Sequence, residues 1–117
     1  MGNISDEKVK ELQVTANDIR KSIITSIVEA KSGHTAGSLG MTDIFTYLYF
    51  HGMNHDSDNP LKEDRDVFIL SNGHICPGIY ATMAHAGYLP LNELQTLRKF
   101  GSRLQGHPHR EHLPGIE

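Results

Sequence analysis

The apolar run Val67-Phe68-Ile69-Leu70 lies between the charged group Asp64-Arg65-Asp66 and the turn Ser71-Asn72-Gly73-His74, and it constrains the fold more than any other feature. Four consecutive apolar residues before a glycine turn predict a strand buried on both faces, the pattern of a parallel sheet. No second segment carries that pattern. A lone buried strand leaves its backbone donors and acceptors unpaired, so its partners are expected from elsewhere. The fold class expected is α/β and helix-rich, with one strand in this chain. Residues 1–117 then form the opening, incomplete section of a larger domain, completed by further residues or by another polypeptide.

The helices read from spacing. Val9, Leu12, Ala16, Ile19, Ile23 and Ile27 recur at three- and four-residue steps and define one apolar face. Ser5 is the expected N-cap, with Asp6 and Glu7 placing negative charge at the positive end of the dipole. Gly33 and Gly37 are expected to break the pattern. A second helix is predicted over about residues 41–50, burying Ile44, Phe45, Leu48 and Tyr49 and stopping near Gly52. The stretch from Asn54 to Pro60 is polar and has turn chemistry throughout. A third helix opens after Gly73, tolerates Pro77 in its first turn and ends at Gly87. A short fourth, over about residues 91–100, places Leu94 and Leu97 on one side, and the chain from Gly101 onward reads as loop.

Composition narrows the function classes. With 38% hydrophobic and 21% charged residues in 117, the chain is of ordinary globular composition, neither disordered nor membrane-embedded. A net charge of −3 gives no electrostatic case for nucleic acid or an anionic membrane surface. Cys76 is alone, so no disulfide framework exists and a reducing cytoplasm is the easier fit. No apolar run approaches the roughly 20 residues that span a bilayer. The start, Met1-Gly2-Asn3-Ile4-Ser5-Asp6, lacks the basic and apolar regions of a signal peptide, and its faint match to a myristoylation signal reads as chance.

Three short histidine turns carry the chemistry: Ser32-Gly33-His34, Ser71-Asn72-Gly73-His74 and Gly106-His107-Pro108. Each joins a flexible backbone to an imidazole at a loop or a loop-to-helix junction. The second sits at the carboxyl end of the predicted strand and the amino end of a helix, the crevice where open α/β sheets bind ligands. Free N–H groups and the helix dipole there favour an anion. The plain alternatives are a C-cap glycine after the first helix, an exposed histidine on a strand-to-helix turn, and a solvated loop around His107. His107, His109 and His112 are close enough to ligate zinc if the loop curled, but no second ligand cluster has metal-site spacing. His51 and His55 share a face only if their helix runs through Gly52, and Cys76 beside His74 lacks a group to orient the base. No metal site is expected from this chain's own residues.

Taken together, Ala30-Lys31-Ser32-Gly33-His34, Gly37-Ser38-Leu39, Met53-Asn54-His55-Asp56, Asp64-Arg65-Asp66 and Leu70-Ser71-Asn72-Gly73-His74 resemble the start of a transketolase. The later strings Ala86-Gly87-Tyr88, Leu97-Arg98-Lys99, the run from Gly101 to Pro108, and Pro114-Gly115-Ile116-Glu117 resemble the N-terminal subunit of the form split into two polypeptides. The resemblance runs from about residue 10 to the end and implies a thiamin-diphosphate-binding, parallel-sheet domain. It implies transfer of a two-carbon ketol unit from a ketose phosphate to an aldose phosphate, in the carbohydrate metabolism of the pentose phosphate pathway. The cofactors implied are thiamin diphosphate and Mg2+ or Ca2+. The metal's ligands, on a Gly-Asp-Gly stretch, and the glutamate that activates the cofactor would lie outside this chain. Partners implied are sugar phosphates and the remaining transketolase segment or C-terminal subunit, in a cytoplasmic homo- or hetero-oligomer such as a dimer.

By the same resemblance, His34 contacts the donor's hydroxyl and carbonyl region. His74 lies against the cofactor, near its diphosphate and thiazolium, while His107 reaches the substrate's reacting end and the cofactor side together. Ser71 and Gly73 shape the cofactor-facing turn. Thr35 and Ala36 stand where the family usually has proline and glycine, and Ile75-Cys76 replaces smaller residues. The chain alone is expected to be inactive. Two alternatives remain from sequence: a non-enzymatic truncated relic or interaction module, and a related thiamin diphosphate enzyme with another ketol donor or acceptor. Of the latter, a deoxyxylulose-phosphate-synthase-like reaction is disfavoured by the segment from Gly101 to Pro108.

Overall fold

Ser5 opens the first helix as its spacing predicts. In the computed structural model, which describes residues 3–117, α1 spans Asp6–Ala30 and the Ser5 hydroxyl accepts from the Lys8 amide at 3.1 Å. The Met1-Gly2 start, with its acylation match, lies outside the described residues. Ala16, Ile19 and Ile23 of the predicted face are buried, and Val9, Leu12 and Ile27 flank them half-covered. The helix ends on Lys31, held in the left-handed region at φ 57, whose amide donates to the Val28 carbonyl.

The second helix differs from expectation. α2 spans Thr35–Tyr47 and runs on into a π-helical turn at Leu48–Gly52, so Gly37 lies inside it rather than breaking the pattern. Packing explains Gly37: a Cβ there would come within 2.6 Å of the Ile75 side chain. The buried face is the expected one only in part. Phe45 and Tyr49 are buried and Leu48 packs on the core as expected, but Ile44 is 52% exposed, and Ser38, Thr42 and Thr46 are buried in its place. The hydroxyls are satisfied locally: Thr42 and Thr46 donate one turn back to the carbonyls of Ser38 and Thr42, at 2.9 and 2.7 Å. Small polar residues that satisfy themselves in this way let α2 sit close to its neighbours, a pattern apolar periodicity does not register.

A 3-10 turn at Gly73–Ile75 leads into α3, Cys76–His85, with Pro77 in its first turn. Every residue from Cys76 to Ala84 is buried, so α3 is the central element, and α1 and α2 pack against it and against each other. The helix stops two residues before Gly87, which adopts φ 97. The predicted fourth helix is only a 3-10 turn, Leu91–Thr96: Leu97 turns extended (ψ 125) and Arg98 takes φ 59, which ends helical geometry there. Leu94 and Leu97 are both buried, as expected.

The predicted strand does not form. Among the described residues no strand is present, and 67–70 carries no regular structure. The physical reason is the lack of a ladder: among the described residues, 67–70 makes no backbone hydrogen bond to another segment. The segment is covered on one side only. Phe68 and Leu70 pack on the helical core, while Val67 and Ile69 stand 54% and 70% exposed. The observed unit is therefore helix-rich without a sheet. Among the described residues no helix is long and apolar enough to cross a membrane.

His85 ties the end of α3 to α1 through Ser22, with Nε2 and the hydroxyl 2.8 Å apart. Burial pushes its pKa below the ordinary 6.5, and Asp18 opposes this only in part. The unfolded chain takes a proton at pH 6.5 before the folded one does, so stability should fall as pH drops through 6.5 to the lowered value, then level off. Urea unfolding at pH 7.5 and 5 checks this: His85→Gln should show a smaller acid loss than the parent, and equal losses would refute it.

Candidate functional site

His34 is the N-cap residue of α2 (φ −92, ψ 102), and its side chain makes no capping hydrogen bond. Its imidazole is therefore not used to hold the helix. Gly33 before it adopts φ 140, a conformation that favours glycine. His74 sits in the middle of the 3-10 turn that opens α3. The two turns meet: the rings of His34 and His74 lie edge to face, 4.9 Å apart. Ser38 on α2 donates to the Ile75 carbonyl at 3.3 Å, which pins the two helix starts together.

His107 comes from the loop that follows Leu104. A Cβ on Gly73 would fall 2.9 Å from its ring, so the imidazole rests directly on the glycine beside His74. The structure thus brings His34, Ser71, Gly73, His74 and His107 to one place, around a single 3-10 turn. All three imidazoles are exposed, and none has a hydrogen-bond partner among the described residues. Each can offer one ring nitrogen as donor and the other as acceptor. By contrast, His55 is fully engaged, with Nδ1 2.7 Å from the Tyr88 hydroxyl and Nε2 2.6 Å from the Tyr49 carbonyl.

The other histidine groupings do different things. His109 and His112 place their rings 4.7 Å apart, and His109 Nδ1 accepts from the Glu111 amide. No group of three or more His, Cys, Asp or Glu among the described residues is placed to hold a metal ion. His51 lies against the Tyr47 ring, whereas His55 meets Tyr88 and Tyr49.

Cys76 does not face a base. It is buried, and its thiol points at the carbonyls of Gln105 and Gly106, at 3.3 and 3.2 Å. Burial pushes the thiol up to about 11, so it stays protonated and a donor at neutral pH. Tyr80, one turn further along α3, donates to the Gln105 carbonyl at 2.8 Å. Sequence spacing carries no signal for either contact, because both bridge distant parts of the chain.

Salt bridges brace the periphery. Arg103 grips Glu93 through two bonds of 2.6 and 2.9 Å, Lys99 reaches Glu29, and Arg65 meets Glu117. An apolar groove of about 390 Å³ lies at the far end of α2, between Val9, Leu12, Ala16 and Tyr47. None of His34, His74 and His107 lines it.

The helical unit thus brings two imidazoles from helix starts beside a third from a loop, all with open ring nitrogens. Known proteins identify the family of that unit. The family model described as "Transketolase, thiamine diphosphate binding domain" matches residues 11–117. The transketolase of Pongo abelii is 42% identical over 102 residues, covering 87% of this chain and 16% of that protein. One subunit of the apulose-4-phosphate transketolase of Actinobacillus succinogenes is 38% identical over 110 residues, 92% of this chain and 39% of that protein. Among solved structures, transketolase from Leishmania mexicana superposes with a TM-score of 0.86 at 38% identity, over 90% of this chain and 16% of its own. The Campylobacter jejuni transketolase gives 0.84 at 33%, over 98% and 17%. The chain belongs to the transketolase thiamine diphosphate-binding domain family, and it spans well under half the length of these relatives.

Proposed function

We propose that the chain is the N-terminal part of the diphosphate-binding domain of a thiamin diphosphate-dependent transketolase, and that it works with the rest of that enzyme as a further segment or a C-terminal subunit. The observation that carries this reading is the convergence of His34, His74 and His107, with open ring nitrogens, around the Gly73–Ile75 turn. The residues fit such a cofactor in kind: a glycine turn at a helix start, with imidazoles able to donate to anionic oxygens. When bound, thiamin diphosphate supplies an electron sink for breaking and forming the ketol carbon–carbon bond. Mg2+ or Ca2+ would be held by ligands from outside this chain.

The chain's own share is orientation and proton handling. His74, with Ser71 and Gly73, holds the cofactor side of the turn. His34 hydrogen-bonds the hydroxyl and carbonyl end of a ketose phosphate. His107 would reach the substrate's reacting end and the cofactor side together, where an imidazole can accept and return a proton and, through a ring N–H, steady a developing oxyanion. The 117-residue unit alone turns over no ketose phosphate, and the active species is a cytoplasmic oligomer. The half-covered 67–70 segment supports a completing partner, since Val67 and Ile69 stand exposed.

A native mass spectrum of the protein purified from its source tests this. The expected result is a complex with further transketolase chain and thiamin diphosphate. A lone 13.0 kDa species without cofactor would sink the reading in favour of a relic or binding module.

A further inference from the structure

We propose that Tyr80 and Cys76 are positioning residues for His107: the two α3 donors fix the loop backbone that aims this imidazole. The proposal rests on the role given to His107 above. The loop carrying His107 has no regular structure, and the ring itself makes no hydrogen bond among the described residues. No hydrogen bond on the side chain sets its direction, so the backbone before it, together with the packing of the ring on Gly73, must. The two carbonyls immediately preceding His107 point into α3, where Tyr80 Oη donates to Gln105 at 2.8 Å and Cys76 Sγ lies 3.3 and 3.2 Å from Gln105 and Gly106. Cys76 and Tyr80 are four residues apart, hence on one face of the helix, and each is only 1% exposed. The high thiol pKa keeps the Cys76 proton in place for donation.

The other end of the arrangement is Gly73. Its missing Cβ leaves the space His107 occupies, with Pro108 Cδ 3.3 Å from the same point. One rigid unit, residues 73–80, therefore carries His74, bears the face on which the His107 ring rests, and supplies both donors that hold the His107 backbone. The separation of the two imidazoles is built into that unit rather than into the loop.

Three variants in the complete, cofactor-loaded enzyme test this. Tyr80→Phe and Cys76→Val should each lower kcat about five-fold, the effect of losing one ordinary hydrogen bond in the activated complex, with KM for the ketose phosphate unchanged. Cys76→Ser keeps a donor and should restore activity to within about two-fold of the parent. In a His107→Ala background Tyr80→Phe should cost nothing further, because the group it aims is gone. NMR of 13C-labelled histidine in the same protein supplies a readout apart from turnover: the His107 signal should shift or broaden in Tyr80→Phe while that of His34 does not.

Unchanged kcat and an unmoved His107 signal in Tyr80→Phe, in an enzyme that His107→Ala slows, would overturn the proposal. So would an equal loss with and without His107. If His107→Ala is itself fully active, the substrate role of His107 fails instead, and the NMR signal alone judges the positioning. Should Cys76→Val fail to fold, Tyr80→Phe, which deletes a single oxygen, carries the test.

Discussion

Replacing His107 with alanine in the complete enzyme is expected to cut turnover by about 100- to 1,000-fold, the range for removing a positioned proton-transfer or oxyanion-stabilising group. The same change should leave folding nearly untouched. His107 is exposed, its ring nitrogens have no partner among the described residues, and a surface side chain of that kind typically alters stability by less than about 0.5 kcal/mol. His34→Ala should behave alike, because the N-cap position of α2 does not use its imidazole. Steady-state kinetics beside a melting curve separates the two effects. Wild-type turnover in both variants would remove the active-site assignment, and a collapse in melting temperature would recast these histidines as structural.

The reverse profile is expected for Phe45→Ala. Phe45 is fully buried where α2 meets α3, its ring edge-on to Phe68 at 5.8 Å and close enough to Gly78 that a Cβ there would come within 3.0 Å. Truncating a phenylalanine in so tight a site costs about 3–5 kcal/mol, through lost burial and the cavity left behind. That is a large share of the roughly 5–15 kcal/mol that holds a typical domain folded. Urea unfolding reads the loss directly; a cost under about 1 kcal/mol would mean that the helices close over the gap.

These contrasting residues also mark what local sequence reveals. α1 was legible because its apolar positions follow the helical period and Ser5 caps it. The buried side of α2 was legible at Phe45 but not at Ser38, Thr42 and Thr46, which satisfy their hydroxyls within a turn or across to the Ile75 carbonyl. Gly37 looked like a break for a related reason: its value lies in the approach of Ile75, which is distant in sequence. The run 67–70 reads as a buried strand, yet a strand is a property of at least two segments, and among the described residues no second segment pairs with it. At the site, the three histidines and their glycines were visible as short patterns. Their convergence was not, nor were the contacts of Tyr80 and Cys76 with the 105–106 carbonyls, since no periodicity links residues about 25 to 30 positions apart.

The bond from Ser38 to the Ile75 carbonyl and the contact of Gly37 with Ile75 join the start of α2 to the start of α3. These contacts place His34, at the N-cap of α2, directly beside His74, in the turn that opens α3. His107 reaches the same place from a loop whose 105–106 carbonyls are held by Tyr80 and Cys76, so it is tied to α3 as well. The three imidazoles thus share one anchor, the start of α3, and a change that shifts that anchor is expected to disturb all three at once.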